Sequence, residues 1–355
     1  MKSKVYFIPV SDTDAREAVK SKLKTLLYKS EVLRVVGKGD KVAAKIHFGE
    51  AGNTGYVDPE FAGIICREAK GKGGDVLLSD SNVLYKGRRT GASDHLKLAW
   101  EHGFTKDVTG VDIFIPDDTK QGETLEIAIG QKHIKTAKVG RFFAECDSMI
   151  VISHFKGHML TGFGGTIKNV GMGCASRQGK LAQHNNFAPI VYPDNCIACG
   201  ECVKICPVDA LSLNGKISLD AAKCIGCANC VGVCPTFSLF VDLKDGAAVQ
   251  EKMVEYAYAL LRGKKNKAAF INFAIKINKE CDCWGQENPG IAPDVGIFVS
   301  LDPVALDKAS YEAVNRVCKK DIFKLAHPDQ DGTIQLSYAE KIGLGSGDHE
   351  LIEVR

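Results

Sequence analysis

The sequence predicts an α/β fold: a mixed, mostly parallel sheet with flanking helices, interrupted by a small inserted module. Short apolar runs alternate with helical patterns through residues 1–190 and again through residues 241–355, as in sheets covered by helices. Between them, residues 191–240 become cysteine-rich, with short elements. We therefore expect an α/β host domain in two parts, 1–190 and 241–355, with the module at 191–240.

The first predicted strand is the apolar run at residues 42–48. Asp58 can cap a helix that Pro59 opens and that continues to about Lys70, where glycines follow. The next strand is expected at residues 75–79. Ser93 can cap a second helix that ends at Gly103, and a strand follows at residues 111–115.

Two apolar segments at residues 125–129 and 133–139 predict a hairpin, because only a short Gly-containing connection separates them. Part of the sheet is therefore expected to be antiparallel. Another strand at residues 148–153 leads into a glycine-rich stretch at 157–173.

The strand and helix pattern resumes after the module. A helix is predicted at residues 247–261, strands at 268–277 and 296–300, and a helix at 303–318 that Asp302 and Pro303 open. These outer segments are expected to complete one sheet with the first part of the host.

Composition excludes several classes of partner. The chain has 46 basic and 43 acidic residues and a net charge of +3, which gives no electrostatic reason to expect nucleic acid or an anionic membrane. The first ten residues contain no apolar run long enough for an export signal, and no run approaches the ~20 apolar residues of a membrane helix. We expect a cytoplasmic location and no membrane partner.

Eight of the 14 cysteines form two copies of the spacing C-x2-C-x2-C-x3-C-P, which is typical of two-cluster bacterial ferredoxins. In that arrangement the fourth cysteine of each copy binds the other cluster. We therefore predict a ferredoxin-like α+β module with two 4Fe-4S clusters. The predicted ligands are Cys196, Cys199, Cys202 and Cys234 for cluster 1, and Cys224, Cys227, Cys230 and Cys206 for cluster 2.

The alternative is a pair of zinc sites, because C-x2-C pairs also bind zinc. Zinc needs only four thiolates per site and gives no reason for the third cysteine and the Cys-Pro ending of each copy.

Several further segments resemble the iron-sulfur proteins of the domain-of-unknown-function 362 family (DUF362). They are residues 45–50, 80–82, 85–88, 153–158, 165–171 and 302–307. The resemblance extends over nearly the whole chain and implies the fold and the clusters, but no reaction. More distantly, the host is similar to the catalytic half of nickel-pincer lactate racemases, which also place His and Lys at strand ends.

Polar residues follow three predicted strands of the host, and in α/β sheets ligands bind beyond the carboxyl ends of strands. The predicted catalytic residues are His47, His154, Lys156, His158 and Lys168. Candidate substrate contacts are Glu50, Asn53, Asp80, Asn82 and Asn169.

Lys168 and the glycines before it suit an anion such as a carboxylate or phosphate; alternatively the glycines serve tight packing and Lys168 is a solvated helix charge. His154 and His158 would share a face if helical and chelate a metal or transfer protons, although Gly157 between them favours a loop. The alternative is ordinary hydrogen-bonded histidines. His184 is a weaker candidate of the same kind.

Cys281 and Cys283 are separated by one residue in a turn-rich connection. They are candidates for an additional metal ion or a redox-active pair, which Cys174 could join, or for a purely structural pair. Cys66, Cys146 and Cys318 have apolar surroundings and are expected to be buried thiols.

The function we expect is electron relay through the two clusters to or from a substrate or metal in the host, as in a ferredoxin-linked oxidoreductase from an anaerobic source. Its partners would be a ferredoxin or reductase and a small, perhaps anionic, substrate. The alternatives are a non-catalytic electron carrier or metal-handling partner protein, and a metal-dependent isomerase.

Overall fold

The computed structural model describes residues 2–116, 122–185, 188–241, 245–286 and 288–355. Its strands are β1 Ser3–Pro9, β2 Lys41–Lys45, β3 Asp75–Ser79, β4 Asp112–Phe114, β5 Thr124–Ala128, β6 Thr136–Gly140, β7 Ser148–His154, β8 Lys156–His158, β9 Gly162–Gly164, β10 Ile190–Val191, β11 Leu211–Asn214, β12 Lys216–Leu219, β13 Leu239–Phe240, β14 Ala268–Ala274, β15 Gly296–Ser300 and β16 His349–Glu353.

The α-helices are α1 Arg16–Ser30, α2 Pro59–Gly71, α3 Ala92–Glu101, α4 Lys106–Thr109, α5 Arg141–Glu145, α6 Thr166–Gly171, α7 Arg177–His184, α8 Glu201–Lys204, α9 Asn229–Val233, α10 Gly246–Leu261, α11 Pro303–Cys318, α12 Ile322–Ala326 and α13 Ile334–Lys341. Within the described ranges, no helix has both the length and the apolar character needed to cross a bilayer.

The main sheet has eight strands in the order β16-β1-β15-β14-β7-β2-β3-β4. Only β15 runs against its neighbours among these eight; the other pairings are parallel. The fold is therefore the predicted mixed, mostly parallel α/β sheet. Its parallel strands end at one edge, so the loops that follow β2, β3, β7 and β14 meet there.

Alternate residues of the central strands pack on opposite faces of the sheet. In β7, Met149 and Val151 join the core that includes α6, α10, α11 and α13, whereas Ile150 and Ile152 join the core that includes α1, α2 and α3. Burial on both faces explains why the middle of β7, residues 149–152, and all of β14 except Asn272 are apolar.

The predicted hairpin is present, since β5 and β6 pair in antiparallel fashion. The inference that it belongs to the main sheet is wrong, because β5 and β6 form a separate two-stranded sheet. Both strands carry polar residues on alternate positions and are partly exposed, so they suit a small surface ribbon. The antiparallel strand of the main sheet is instead β15, whose apolar sequence carries no sign of its direction.

The cysteine-rich segment packs around its own hydrophobic cluster, which includes Cys202, Cys230, Val231 and Cys234. Its backbone repeats as its sequence does. Positive φ angles occur at Ala198, Gly200 and Asp209, and again 28 residues later at Gly226, Ala228 and Phe237. The two halves therefore share one local conformation.

Candidate functional site

The polar edge of the sheet is organised around a buried lysine that terminates β2. Lys45 is fully buried, and its Nζ donates to Asp80 Oδ1 at 2.9 Å and to Asn169 Oδ1 at 2.7 Å. Burial alone would raise the pKa of Asp80, but the charge of Lys45 and the nearby histidines hold this pKa well below its ordinary value. Lys45 thus joins the ends of β2 and β3 to α6.

Arg89 forms a second buried centre of charge in the loop after β3. Its Nε donates to Glu50 Oε2 at 3.0 Å, and its other nitrogens contact His47 Nε2 at 2.9 Å and the hydroxyl of Tyr85 at 2.7 Å. Tyr85 also donates to Glu50. The carboxylate of Glu50 is therefore held in place by two donors from one loop.

His47 and His154 have opposite hydrogen-bond surroundings. His47 faces donors on both ring nitrogens, from Gly49 N and Arg89, and burial with the charge of Arg89 holds its pKa well below its ordinary value. His154 faces acceptors on both, with Nδ1 2.7 Å from Asp282 Oδ1 and Nε2 3.0 Å from two carbonyl oxygens.

Asp282 is the anion that binds His154 and Lys156 together. Lys156 Nζ lies 3.2 Å from Asp282 Oδ2 and donates to the His154 carbonyl at 2.7 Å. Burial would raise the pKa of Asp282, but the charges of His154 and Lys156 outweigh burial and hold this pKa well below its ordinary value. His154 and Lys156 are thus held in one cluster by Asp282, and we regard them as positioning residues.

Lys168, in contrast, has no hydrogen-bond or ion-pair partner among the residues that the structure describes. Burial and the charge of Lys156 lower its pKa to about 7. Its neighbour His184 has a buried Nδ1 that is likewise without a partner in the described part of the chain, and burial with the charge of Lys168 lowers its pKa to about 4. These two groups leave hydrogen-bonding capacity for a ligand.

Asp307 of α11 positions the helix that carries Lys168. Its two carboxylate oxygens accept from the amides of Thr166 and Ile167, each at 2.8 Å, and one also accepts from Asn272. A Cβ at Gly165 would lie 2.4 Å from Asp307 Oδ1, so this contact needs a glycine. The glycine-rich stretch therefore serves close packing as well as any ligand.

Cys281 and Cys283 are joined by a disulfide across a turn, with Cα atoms 5.3 Å apart. A ring nitrogen of His158 and the two sulfur atoms lie within 4.8 Å of one another. Cys174 is absent from this group; it is buried in the host core. His154 and His158 do not lie on a helix: they end β7 and β8, and Gly157 between them approaches the Lys279 carbonyl too closely for a side chain.

All five predicted substrate contacts have protein partners, since Glu50 and Asp80 accept from Arg89 and Lys45 as described above and the three asparagines bond to backbone carbonyls. The Asn53 amide donates to the Trp284 carbonyl, that of Asn82 donates to the Pro116 carbonyl, and that of Asn169 donates to the Ile152 carbonyl. They tie the loops of the edge together. Cys66 and Cys146 are buried as expected, and Cys318 is partly buried.

Sequence reasoning missed Lys45, Tyr85, Arg89, Asp282 and Asp307 as members of the site. A charged residue within the apolar run of β2 was an available signal, because an unpaired lysine is seldom buried. Nothing comparable marks Arg89, whose partners His47 and Glu50 lie about 40 positions away in the loop after β2.

In the module, Cys234 lines the same cavity as Cys196, Cys199 and Cys202, although it lies 32 residues beyond the last of these. None of the eight cysteines takes part in a disulfide. Backbone amides point at four of their sulfur atoms: Ala198 N at Cys196, Ala210 N at Cys206, Gly226 N at Cys224 and Ser238 N at Cys234, at 3.2–3.4 Å.

The module packs directly on the loop that carries Arg89. Leu84 belongs to the hydrophobic cluster of the module, and a Cβ at Gly232 would lie within 3.3 Å of Thr90 and closer still to Arg177. The residue after Leu84 is Tyr85, whose hydroxyl lies 3.3 Å from the Cys283 carbonyl oxygen. One loop therefore touches both the module and the Cys281–Cys283 turn.

A cleft of about 830 Å³ lies elsewhere, near the starts of β1 and β14, and has a basic rim of Lys4, Arg34 and Lys265 among others. It contains none of the predicted site residues.

The family model described as "Domain of unknown function (DUF362)" matches residues 42–312. The lactate racemase apoprotein from Thermoanaerobacterium thermosaccharolyticum is similar in structure at 14% identity and a TM-score of 0.41, over 78% of this chain and 51% of that chain. A protein from Thermotoga maritima aligns at 12% identity and a TM-score of 0.37, over 87% and 60%. The chain thus spans about half the length of the racemase. No curated protein matches the sequence.

Proposed function

The chain belongs to the DUF362 family, whose model covers most of it, and from its own residues we propose that it is an iron-sulfur protein. It would relay electrons through two 4Fe-4S clusters to or from a substrate in the host domain. The observation that carries this proposal is the shared cavity of Cys234 with Cys196, Cys199 and Cys202. An interleaved set of this kind is what two-cluster ferredoxins require.

The donor set fits the two clusters. For the first cluster, three closely spaced thiols of one half share a cavity with Cys234 of the other half, and the repeated sequence and backbone assign Cys206 to the second set in the same way. The amides directed at sulfur would stabilise charge on the thiolates. When bound, the clusters would supply one-electron transfer. Zinc fits less well, because a tetrahedral site gives no reason for the repeated backbone conformation and Cys-Pro endings.

The host edge supplies the substrate side of this function. At this edge Lys168 has no hydrogen-bond or ion-pair partner among the described residues, and it is close enough to His158 and His184 for its charge to lower the pKa of both. An anionic group on the substrate would give Lys168 its missing charge partner. We assign binding to Lys168 and positioning to Lys45, Arg89, His154 and Lys156. The electron donor would be a ferredoxin or a reductase, and the reaction class an oxidoreductase of the cytoplasm.

The test is the iron content of protein purified without oxygen. Wild-type protein is expected to hold about eight irons with equal sulfide, and Cys234→Ala and Cys206→Ala are each expected to lose about four. Metal analysis and the low-temperature electron paramagnetic resonance of the reduced protein measure this. Cys318→Ala is the matched control, because Cys318 lies in the host at the end of α11.

Zinc in place of iron in the wild-type protein would overturn the proposal. So would full iron content in both module variants. An unchanged cluster signal in the presence of every small anion tested would instead favour a carrier without a substrate of its own.

A further inference from the structure

The backbone of the Cys281–Cys283 turn is held firmly by the host. Two of its carbonyl oxygens accept hydrogen bonds from the loop after β2, that of Asp282 from Glu50 N at 2.8 Å and that of Trp284 from the Asn53 amide at 3.0 Å, and the Tyr85 hydroxyl of the loop after β3 lies 3.3 Å from the carbonyl oxygen of Cys283. The side chain of Asp282 is fixed by His154 and Lys156. A surface disulfide with only a structural role would not need so many anchors from separate loops.

The two cysteines differ in exposure. Cys281 is buried, whereas Cys283 is partly exposed. Dithiol pairs that exchange with other disulfides need one accessible thiol that attacks and a second that resolves the mixed disulfide. The turn provides this asymmetry.

The hydrogen bonds of His158 favour sulfur chemistry over metal binding at this place. Its Nδ1 accepts from the amides of Leu160 and Thr161 at 3.1 and 3.2 Å. In a neutral ring the proton then resides on Nε2, the nitrogen left for another partner. A histidine that binds a metal normally donates from its second nitrogen instead. Nε2 of His158 is thus a hydrogen-bond donor, on a ring that has a nitrogen within 4.8 Å of the two sulfur atoms.

We propose that Cys281 and Cys283 form a redox-active pair that reduces small-molecule disulfides, with Cys283 as the attacking thiol and Cys281 as the resolving thiol. The supply of electrons by way of the module rests on the proposed function. The contact of Leu84 with the module core and of Tyr85 with the Cys283 carbonyl places the pair one loop away from that supply.

The chemistry balances in two half-reactions. Two electrons from a one-electron donor of the ferredoxin class and two protons break the Cys281–Cys283 bond and give two thiols. The Cys283 thiolate then attacks a substrate disulfide and releases the first substrate thiol. Cys281 attacks Cys283, which releases the second thiol and restores the disulfide. The sum is one substrate disulfide, two electrons and two protons converted to two thiols.

The first test measures the oxidation state of the pair directly. Full-length protein with its clusters is treated with reduced methyl viologen, denatured, alkylated with iodoacetamide and digested for mass spectrometry. We expect two labels on the peptide that contains Cys281 and Cys283 after viologen, and none before. In Cys234→Ala, reduced viologen is expected to reduce the pair slowly, so that this peptide gains its iodoacetamide labels slowly. Dithiothreitol should still reduce the pair and so allow both labels.

The second test traps the intermediate. Cys281→Ser is expected to retain a thionitrobenzoate adduct on Cys283 after reaction with dithionitrobenzoate, whereas Cys283→Ser should gain little adduct, because Cys281 is buried. Cys318→Ser is the control for general thiol loss. Iron content is measured on every sample, so that a failed module and a failed pair are told apart.

If the iron content is full and the peptide never gains label after treatment with reduced viologen, the inference is overturned and the electron relay stays intact. One equivalent of a second metal in the wild-type protein, lost in both Cys281→Ser and Cys283→Ser, also overturns it, because the pair would then be a metal site. Missing iron in the wild-type protein would overturn the proposed function instead.

Discussion

Lys168 is a cation placed where the fold offers it no counterion among the described residues. Its neighbours Lys156 and Lys45 have anionic partners in Asp282 and Asp80, which Lys168 lacks. Burial and the charge of Lys156 lower its pKa to about 7, so the side chain changes charge near neutral pH. This makes ligand binding at the edge sensitive to pH in a defined direction.

We expect sulfate to bind the wild-type protein more weakly as the pH rises through about 7, by up to about tenfold per pH unit, because only the protonated Lys168 attracts an anion. His184, with a pKa of about 4, stays neutral over this range and adds no charge. Isothermal titration calorimetry between about pH 6 and about pH 8 measures the effect.

Two variants bracket this result. Lys168→Met should remove most of the sulfate binding, and Lys168→Arg should keep the binding while it loses the pH dependence, because a guanidinium stays charged. Equal affinity of wild-type protein on both sides of neutral pH would show that Lys168 does not hold the anion.

Among the elements, the short helix α6 depends on a carboxylate from a different helix. Asp307 of α11 accepts from the first two amides of α6 and from Asn272 of β14. Because an unpaired buried donor costs about 1–3 kcal/mol, Asp307→Ala should reduce the free energy of unfolding by roughly 2–5 kcal/mol and Asp307→Asn by less. Urea unfolding of the variants measures both.

The same carboxylate has a pH signature. Burial raises the pKa of Asp307 to about 6, so the folded protein binds this proton more tightly than the unfolded chain does. The wild-type protein should therefore lose part of its stability as the pH rises from about 4 to about 6, and Asp307→Asn should lack this loss. The exposed Asp107→Asn is the control; identical pH profiles for all three proteins would contradict the prediction.

At the scale of elements, the sequence predicts periodicity well and strand direction poorly. The ranges at 75–79, 296–300 and 303–318 agree with β3, β15 and α11, because their apolar patterns and the Asp302-Pro303 start are local signals. The separate β5–β6 ribbon and the reversed direction of β15 depend on contacts between distant segments. The strand β1, which pairs with β15, was not predicted.

For the whole molecule, we expect the module and the host to respond differently to loss of iron. The host has two large apolar cores, whereas the module core is small and includes cysteines of both predicted clusters. Small domains that rely on metal ligands tend to unfold without them. Trypsin should therefore cut iron-free protein at Lys204, Lys216 and Lys223 well before it cuts the host.

Mass spectrometry of the digests, compared with cluster-loaded protein at equal protease, measures this difference. Cleavage of host and module at the same rate in iron-free protein would show that the module folds without its metal or that the two parts unfold together.

The candidate site was predictable only in outline. The rule that ligands bind beyond the carboxyl ends of strands points to one edge of the sheet, and the structure brings His47, Asp80 and His154 together there. The pairings could not be read, because Asp282 meets His154 across 128 positions and Arg89 meets Glu50 across 39. Which charge remains unpaired, as at Lys168, follows only from the assembled set.

The loop that holds Leu84 in the module core and Tyr85 against Cys283 couples the module to the host thermodynamically. If a ligand at the host edge binds better to one arrangement of this loop, ligand binding must stabilise the packing of the module on the host by the same free energy. Loss of that packing must weaken ligand binding by an equal amount. The redox state of the module would then change the affinity of the host for its substrate, and substrate binding would change the redox equilibrium of the module.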